Sequence, residues 1–277
     1  IGANLDVSSG TIKLDGNYPN GSNNVALGNG ALDGSLSGTG LNVAIGDSAM
    51  TKNTSGAENT AVGRLAMGCN TTGSYNVAFG TNTMQKNTEG EENSAFGMQA
   101  MNNNTTGDGN SAVGTAALNA NISGSSNTAV GKRSLKTNTT ASNNTAVGFD
   151  SLCANTTGGS NVALGFESLK TNTTASNNTA VGLCSMALNT TGNLNTAVGQ
   201  TSLKANTEGS CNTTMGGLAM NANTTGGCNT GVGAYALKSN TTASNNTALG
   251  YKALCTNTTG ANNVGVGRGA LQTNQTG

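Results

Sequence analysis

Asn144-Thr145-Ala146-Val147-Gly148-Phe149-Asp150-Ser151-Leu152-Cys153-Ala154-Asn155-Thr156-Thr157-Gly158-Gly159-Ser160 is one complete unit of a repeat, and Asn161 starts the next. The consensus N-T-A-V-G-x-x-[AS]-[LM]-x-x-N-T-T-G-x-x recurs every seventeen residues. Fourteen copies begin at Asn42, Asn59, Asn76, Asn93, Asn110, Asn127, Asn144, Asn161, Asn178, Asn195, Asn212, Asn229, Asn246 and Asn263, and an eighteen-residue copy precedes them at Asn24. A fixed short period means stacked supersecondary units. Each buries its apolar side only against its neighbours.

Positions are numbered 1–17 from the first Asn. Positions 1 and 12 are Asn and position 5 is Gly in all fourteen copies; position 9 is always Leu or Met, and position 4 is always apolar. Position 3 is Ala except at Thr214, Gly231 and Gly265, and position 8 is Ala or Ser except at Thr83. Every charge within the copies falls at position 6, 7, 10, 11, 14, 16 or 17. The tolerant positions therefore face water, and the intolerant ones face packing or a ladder.

Gly at two positions and abundant Asn and Thr exclude a helix. Short Thr/Ala/Val runs broken by Gly and Asn fit short strands joined by turns. The expected fold is all-β: a parallel β-solenoid in which each copy makes one coil. Equivalent residues then stack in files. Asn42, Asn59, Asn76 and Asn93 form one amide ladder, and Asn53 and Asn70 belong to a second. Gly46 and Gly63 take the position-5 corner, where φ > 0 is free of penalty. Leu118 and Leu135 stack at position 9. Fifteen coils at about 4.8 Å make a rod of about 70 Å. One Val and one Leu or Met per coil is little apolar surface to order seventeen residues. A second buried surface is expected from side-by-side packing of identical rods, a parallel homotrimer. The pattern leaves open which apolar position faces the coil interior and which the shared axis.

Composition agrees with an ordered, non-globular body. The 277 residues include no Trp, no His, one Pro and eight Phe and Tyr together. Twelve Lys/Arg balance twelve Asp/Glu, which gives no reason to expect nucleic acid or an anionic membrane as partner. No apolar stretch approaches the roughly 20 residues that span a bilayer, so membrane insertion is not expected. No signal peptide is visible, and the start at Ile1 and stop two residues short of a full unit suggest a piece of a longer protein. Residues 1–23 lack the repeat. They read as a lead-in or cap with one strand, Thr11–Leu14, and a turn at Asp15-Gly16-Asn17. Residues 24–277 read as a shaft of fifteen repeats, the last incomplete. Identity of the segments 134–148 and 168–182 marks a duplicated two-unit block.

The six cysteines lack metal-ligand spacing. Cys211 and Cys228 share position 17 in adjacent copies. Coils about 4.8 Å apart put them within disulfide reach, with two free thiols as the alternative.

The run N-T-A-V-G-x-x-A-L resembles the repeats of trimeric β-roll heads in trimeric autotransporter adhesins, whose period is shorter. It is more similar to the repeat region of bacteriophage tail fibres of the marine and cyanobacterial type. There too a passage like Gly10-Thr11-Ile12-Lys13-Leu14-Asp15-Gly16-Asn17-Tyr18-Pro19 runs into a stretch like Asn24-Val25-Ala26-Leu27-Gly28. The resemblance covers nearly the whole chain. It implies a left-handed parallel β-roll, usually trimeric, in a shaft or head.

No catalytic constellation is present, and neither a metal nor a cofactor is expected. Without His, Ser-His and Cys-His nucleophiles are absent. Glu89, Glu91 and Glu92 form the one acidic cluster, at a corner expected to be solvated. Twelve copies read N-x-[ST] at position 12, but Asn persists at Asn87 and Asn206 where the sequon is lost, which favours a ladder over a glycan. Phe149, Phe166, Tyr235 and Tyr251 at positions 6 and 7, with Lys136, Lys170, Lys204 and Lys238 at position 10, are candidates for glycan contact.

The expected function is structural: a non-enzymatic segment of a phage tail fibre, extracellular on the virion, that extends and trimerises a host-receptor-binding appendage. Its partners would be its own copies and, through regions outside this sequence, a host surface glycan or receptor. One alternative is a trimeric adhesin on a bacterial surface whose rod binds glycans or surfaces. Another is an ice-binding solenoid using Thr rows at positions 2 and 13.

Overall fold

In the computed structural model, residues 23–34 and 40–275 are described. The expected strand at Thr11–Leu14, the turn after it and the proposed cap lie outside the described residues. Two compact units divide the chain, Ile1–Asn127 and Thr128–Gly277. Both are parallel β-solenoids of seventeen-residue coils, and no helix occurs among the described residues.

The first unit holds β1 (Val25–Leu27), β2 (Val43–Ile45), β3 (Thr60–Val62), β4 (Val77–Phe79), β5 (Ser94–Phe96) and β6 (Ser111–Val113). The second holds β7 (Thr128–Val130), β8 (Thr145–Val147), β9 (Val162–Leu164), β10 (Thr179–Val181), β11 (Thr196–Val198), β12 (Thr213–Met215), β13 (Thr230–Val232), β14 (Thr247–Leu249) and β15 (Val264–Val266). Each strand is positions 2–4 of one coil. Within a unit, each pairs in parallel with the next and in register, as in Thr179↔Thr196, Ala180↔Ala197 and Val181↔Val198. In the first unit Val25 pairs with Val43, one residue beyond the seventeen-residue offset. The eighteen-residue copy thus keeps register with its extra residue outside the strand.

The rest of each coil is irregular yet hydrogen-bonded to its neighbours. Leu152 N–H donates to the Ser168 carbonyl at 2.9 Å, and Thr156 N–H to the Thr173 carbonyl at 2.8 Å. Buried backbone groups need such partners, and here the next coil supplies them.

Strand alternation sends position 3 inward and positions 2 and 4 outward. The interior of each coil therefore contains the position-3 Ala, the small position-8 residue and one large side chain at position 9. Ala146, Ser151 and Leu152 are fully buried in the coil of Asn144. So narrow a channel explains why position 3 accepts only Ala, Thr or Gly. Where Thr214 enters it, its hydroxyl meets Ser202 Oγ at 2.7 Å.

Two Asn ladders complete the interior. In the first unit Asn70 Nδ2 donates to Asn53 Oδ1 and to the Gly73 carbonyl, both at 2.9 Å. Asn59 Nδ2 reaches the same carbonyl at 2.9 Å, and Asn59 N–H donates to Asn42 Oδ1 at 3.0 Å. Asn76 and Asn93 continue that file, each N–H donating to the preceding Asn at 2.9 and 3.0 Å. All six side chains are fully buried.

Sharp corners close the coil. Position-5 Gly has φ near +130°, +132° at Gly46 and +133° at Gly63. A Cβ on Gly165 would lie 2.5 Å from the Gly182 carbonyl oxygen, so stacking also requires Gly there. Positions 7, 9 and 17 take φ of about +50° to +60° with ordinary side chains, including Leu118 at +51° and Leu135 at +49°.

Candidate functional site: an outward apolar strand face

The outward strand positions define the candidate site. Position 4 never carries a polar side chain, yet it points away from the coil interior. In the first unit Phe79 and Phe96 are 39% and 41% exposed, with rings stacked at 5.3 Å. In the second unit Met215 and Leu249 are 49% and 48% exposed. Position 2 stands beside it and is Thr, Ser or Val throughout. Each unit thus presents a file of large apolar side chains next to a file of small β-branched or hydroxyl ones. Which apolar position faces the coil interior, left open by the sequence pattern, is decided by burial. The Leu or Met is inside, and the Val is on the outer surface because the channel has no volume for it.

The four aromatic candidates for glycan contact form two separate pairs in the second unit. Phe149 and Phe166 stack at 5.5 Å with rings 13° apart, and the Arg133 guanidinium lies 5.4 Å from the Phe149 centroid. The faces of Phe149 are thus taken by Arg133 and Phe166, leaving an edge rather than a platform for a sugar. Tyr235 and Tyr251 meet edge-to-face at 6.0 Å. Lys238 lies 5.5 Å from the Tyr235 ring, while Lys252 and Arg268 lie 5.4 and 6.0 Å from Tyr251. Among the four position-10 lysines, Lys170 is paired with Glu167 at 2.8 Å. That hydrogen bond raises the Lys170 pKa.

Arg133 holds the buried Asp150 carboxylate through both Nε, at 2.6 Å, and Nη2. This pair raises the Arg133 pKa. Beside it the Cys153 thiol is pushed up, first by burial and then by Asp150, against the opposing pull of Arg133 and Lys136. Cys211 and Cys228 are exposed free thiols. Glu89, Glu91 and Glu92 lie at an exposed corner, where Glu91 N–H donates to Asp108 Oδ1 at 2.8 Å. No group of three or more Cys, Asp or Glu is placed to hold a metal among the described residues. Among them, too, no helix is long and apolar enough to cross a membrane.

The sequon residues Asn155 and Asn172 at position 12 are fully buried with both amide hydrogens engaged. Position-13 hydroxyls are also occupied: Thr156 Oγ1 donates to the Thr173 carbonyl at 3.0 Å and Thr190 Oγ1 to the Thr207 carbonyl at 3.0 Å.

What fold and site define is a repeat solenoid with an uncovered apolar strand face. A scan against protein-family models finds no match to this chain, and a search of curated proteins finds none either.

Proposed function

We propose that this chain is a structural fibre segment that self-associates through its position-2/4 face as a parallel homotrimer, the shaft of an extracellular phage tail fibre carrying a receptor-binding appendage. One observation carries the self-association: position 4 is apolar in all fourteen copies although it lies outside the coil. Positions 6 and 7, on the outer surface just past the Gly corner, do accept charge, as at Asp47, Arg64 and Lys132. A solvent-facing position would do the same, so this one is reserved for contact. The file repeats once per coil, about every 4.8 Å. A partner that matches it must carry the same period, and a second copy in register does. Cyclic closure satisfies every such face, and the resemblance to trimeric fibres and adhesins supports three copies. The function is mechanical. It supplies reach, stiffness and multivalent display, so that weak contacts at an attached tip add as avidity.

In-register cross-linking tests this reading. In a background with the six cysteines replaced by Ser, the Val181→Cys variant is expected to form inter-chain disulfides on mild oxidation. Mixing Val181→Cys with Val232→Cys, three coils away, is expected to give no mixed product. Failure of the first, or efficient formation of the second, overturns the parallel in-register assembly. The ice-binding alternative uses the same outward face, where position-2 Thr alternates with position 4. It loses its position-13 row, whose hydroxyls bond to backbone. Thermal hysteresis by the chain would favour it.

A further inference from the structure

The overall neutrality of the chain hides a division of charge. Residues 1–127 carry four Lys/Arg against nine Asp/Glu, and residues 128–277 carry eight against three. All eight cations of the second unit sit at positions 6, 7 or 10, on the side of the coil that follows the Gly corner. Within this set Lys136, Lys170, Lys204 and Lys238 share position 10 and recur every 34 residues, with Cys153, Ala187 and Asn221 between them. Two parallel coils advance about 9.6 Å, so these lysines form a file with a spacing near the length of one disaccharide in an extended polysaccharide.

The anions on this side are few and paired. Asp150 is buried under Arg133, and Glu167 bonds Lys170. The latter pair is partly exposed, worth little, and yields to a competing polyanion. No Asp or Glu follows Glu208. Lys252 and Arg268 face the Tyr251 ring and, with Gly269 and Gln272, line an open cleft of about 500 Å³.

We propose that positions 6, 7 and 10 of the second unit form a lengthwise docking surface for an acidic polysaccharide bearing one anionic group per disaccharide. Lysine ammonium groups on flexible stems follow such a chain, and Lys252 and Arg268 add two further cations at the open cleft. Nucleic acid fits less well. Its phosphates advance about 3.4 Å per nucleotide along each strand, which leaves most of them without a lysine. The surface is separate from the position-2/4 face, so its success or failure is independent of the trimer.

Calorimetric titration of the full chain with hyaluronan at low ionic strength tests the proposal. Binding is expected, and it weakens as salt screens it. The triple variant Lys136→Gln/Lys204→Gln/Lys238→Gln loses about ten-fold or more in affinity. Lys52→Gln/Arg64→Gln/Lys86→Gln, in the first unit, binds as the parent does. Should the first triple variant fold poorly, Lys204→Glu at one exposed side chain is expected to weaken binding in the same direction. The proposal is overturned by no binding to hyaluronan, by equal losses in the two triple variants, or by tighter binding to duplex DNA than to hyaluronan.

Discussion

Asn155 Nδ2 donates to Asn138 Oδ1, seventeen residues earlier, at 2.9 Å, and to the Gly158 carbonyl at 2.9 Å. Asn144 Nδ2 reaches the same carbonyl at 3.0 Å. One side chain thus ties its own coil closed and joins it to the coil before. Its Oδ1 accepts from Asn172 at 3.0 Å and joins it to the coil after.

Asn155→Ala removes both donors and the Asn172 acceptor within a fully buried site. Unmet buried groups cost about 1–3 kcal/mol each, so a loss of about 2–4 kcal/mol is expected. Hydrogen exchange of the amides in the coils of Asn138, Asn155 and Asn172 reads it locally, which suits a repeat array that does not unfold in one step. Gln200→Ala, on the outer surface, is expected to change protection by less than about 0.5 kcal/mol.

Gly165→Ala and Gly217→Ala separate two kinds of glycine. Gly165 has φ +137°, and a Cβ there would stand 2.5 Å from a backbone oxygen, whereas a Cβ on Gly217 meets nothing within 4 Å. Gly165→Ala is expected to cost more than about 3 kcal/mol. Gly217→Ala is neutral, or stabilising by up to about 1 kcal/mol through the unfolded state. Thermal unfolding followed by circular dichroism distinguishes them.

The position-12 sequons at Asn155 and Asn172 are closed to modification in the folded chain. Incubation with an N-glycosyltransferase and peptide mass mapping is expected to find no glycan on Asn155 or Asn172 of folded protein. The same sites are expected to be modified after denaturation. Glycan on folded protein at either Asn would contradict the ladder.

Cysteine reactivity follows burial and charge. A raised pKa means less thiolate at a given pH, so Cys153 is expected to alkylate more slowly at pH 8 than the exposed Cys211 and Cys228. Raising the pH speeds Cys153 as its thiolate fraction grows. Isotope-coded iodoacetamide labelling gives the order.

The period, the strand at positions 2–4, the Gly corner and the stacked Asn were legible in the sequence because identical residues recurring at one interval leave few other solutions. The direction of Val181 was not. Val suits either side of a strand, and only the channel width, set by Ala180 and Leu169 together, excludes it from the interior. In retrospect Phe79 and Phe96 were the signal, since neither ring fits where Ala78 and Ala95 sit. The positive φ of Leu135 and Met186 was also hidden. L-residues seldom adopt it, and here hydrogen bonds from each to the next coil hold it, at 3.1 and 3.0 Å. The cationic side of the second unit was obscured because the charges of the whole chain cancel. Counting residues 1–127 and 128–277 separately reveals it.

Sedimentation equilibrium of the purified chain tests the central claim, that the outward apolar face is covered by further copies. A mass three times the 27.1 kDa of one chain is expected. Val147→Asp/Val181→Asp is expected to shift it to that of a single chain with its β-sheet spectrum retained. A parent chain that sediments as a folded monomer would contradict it.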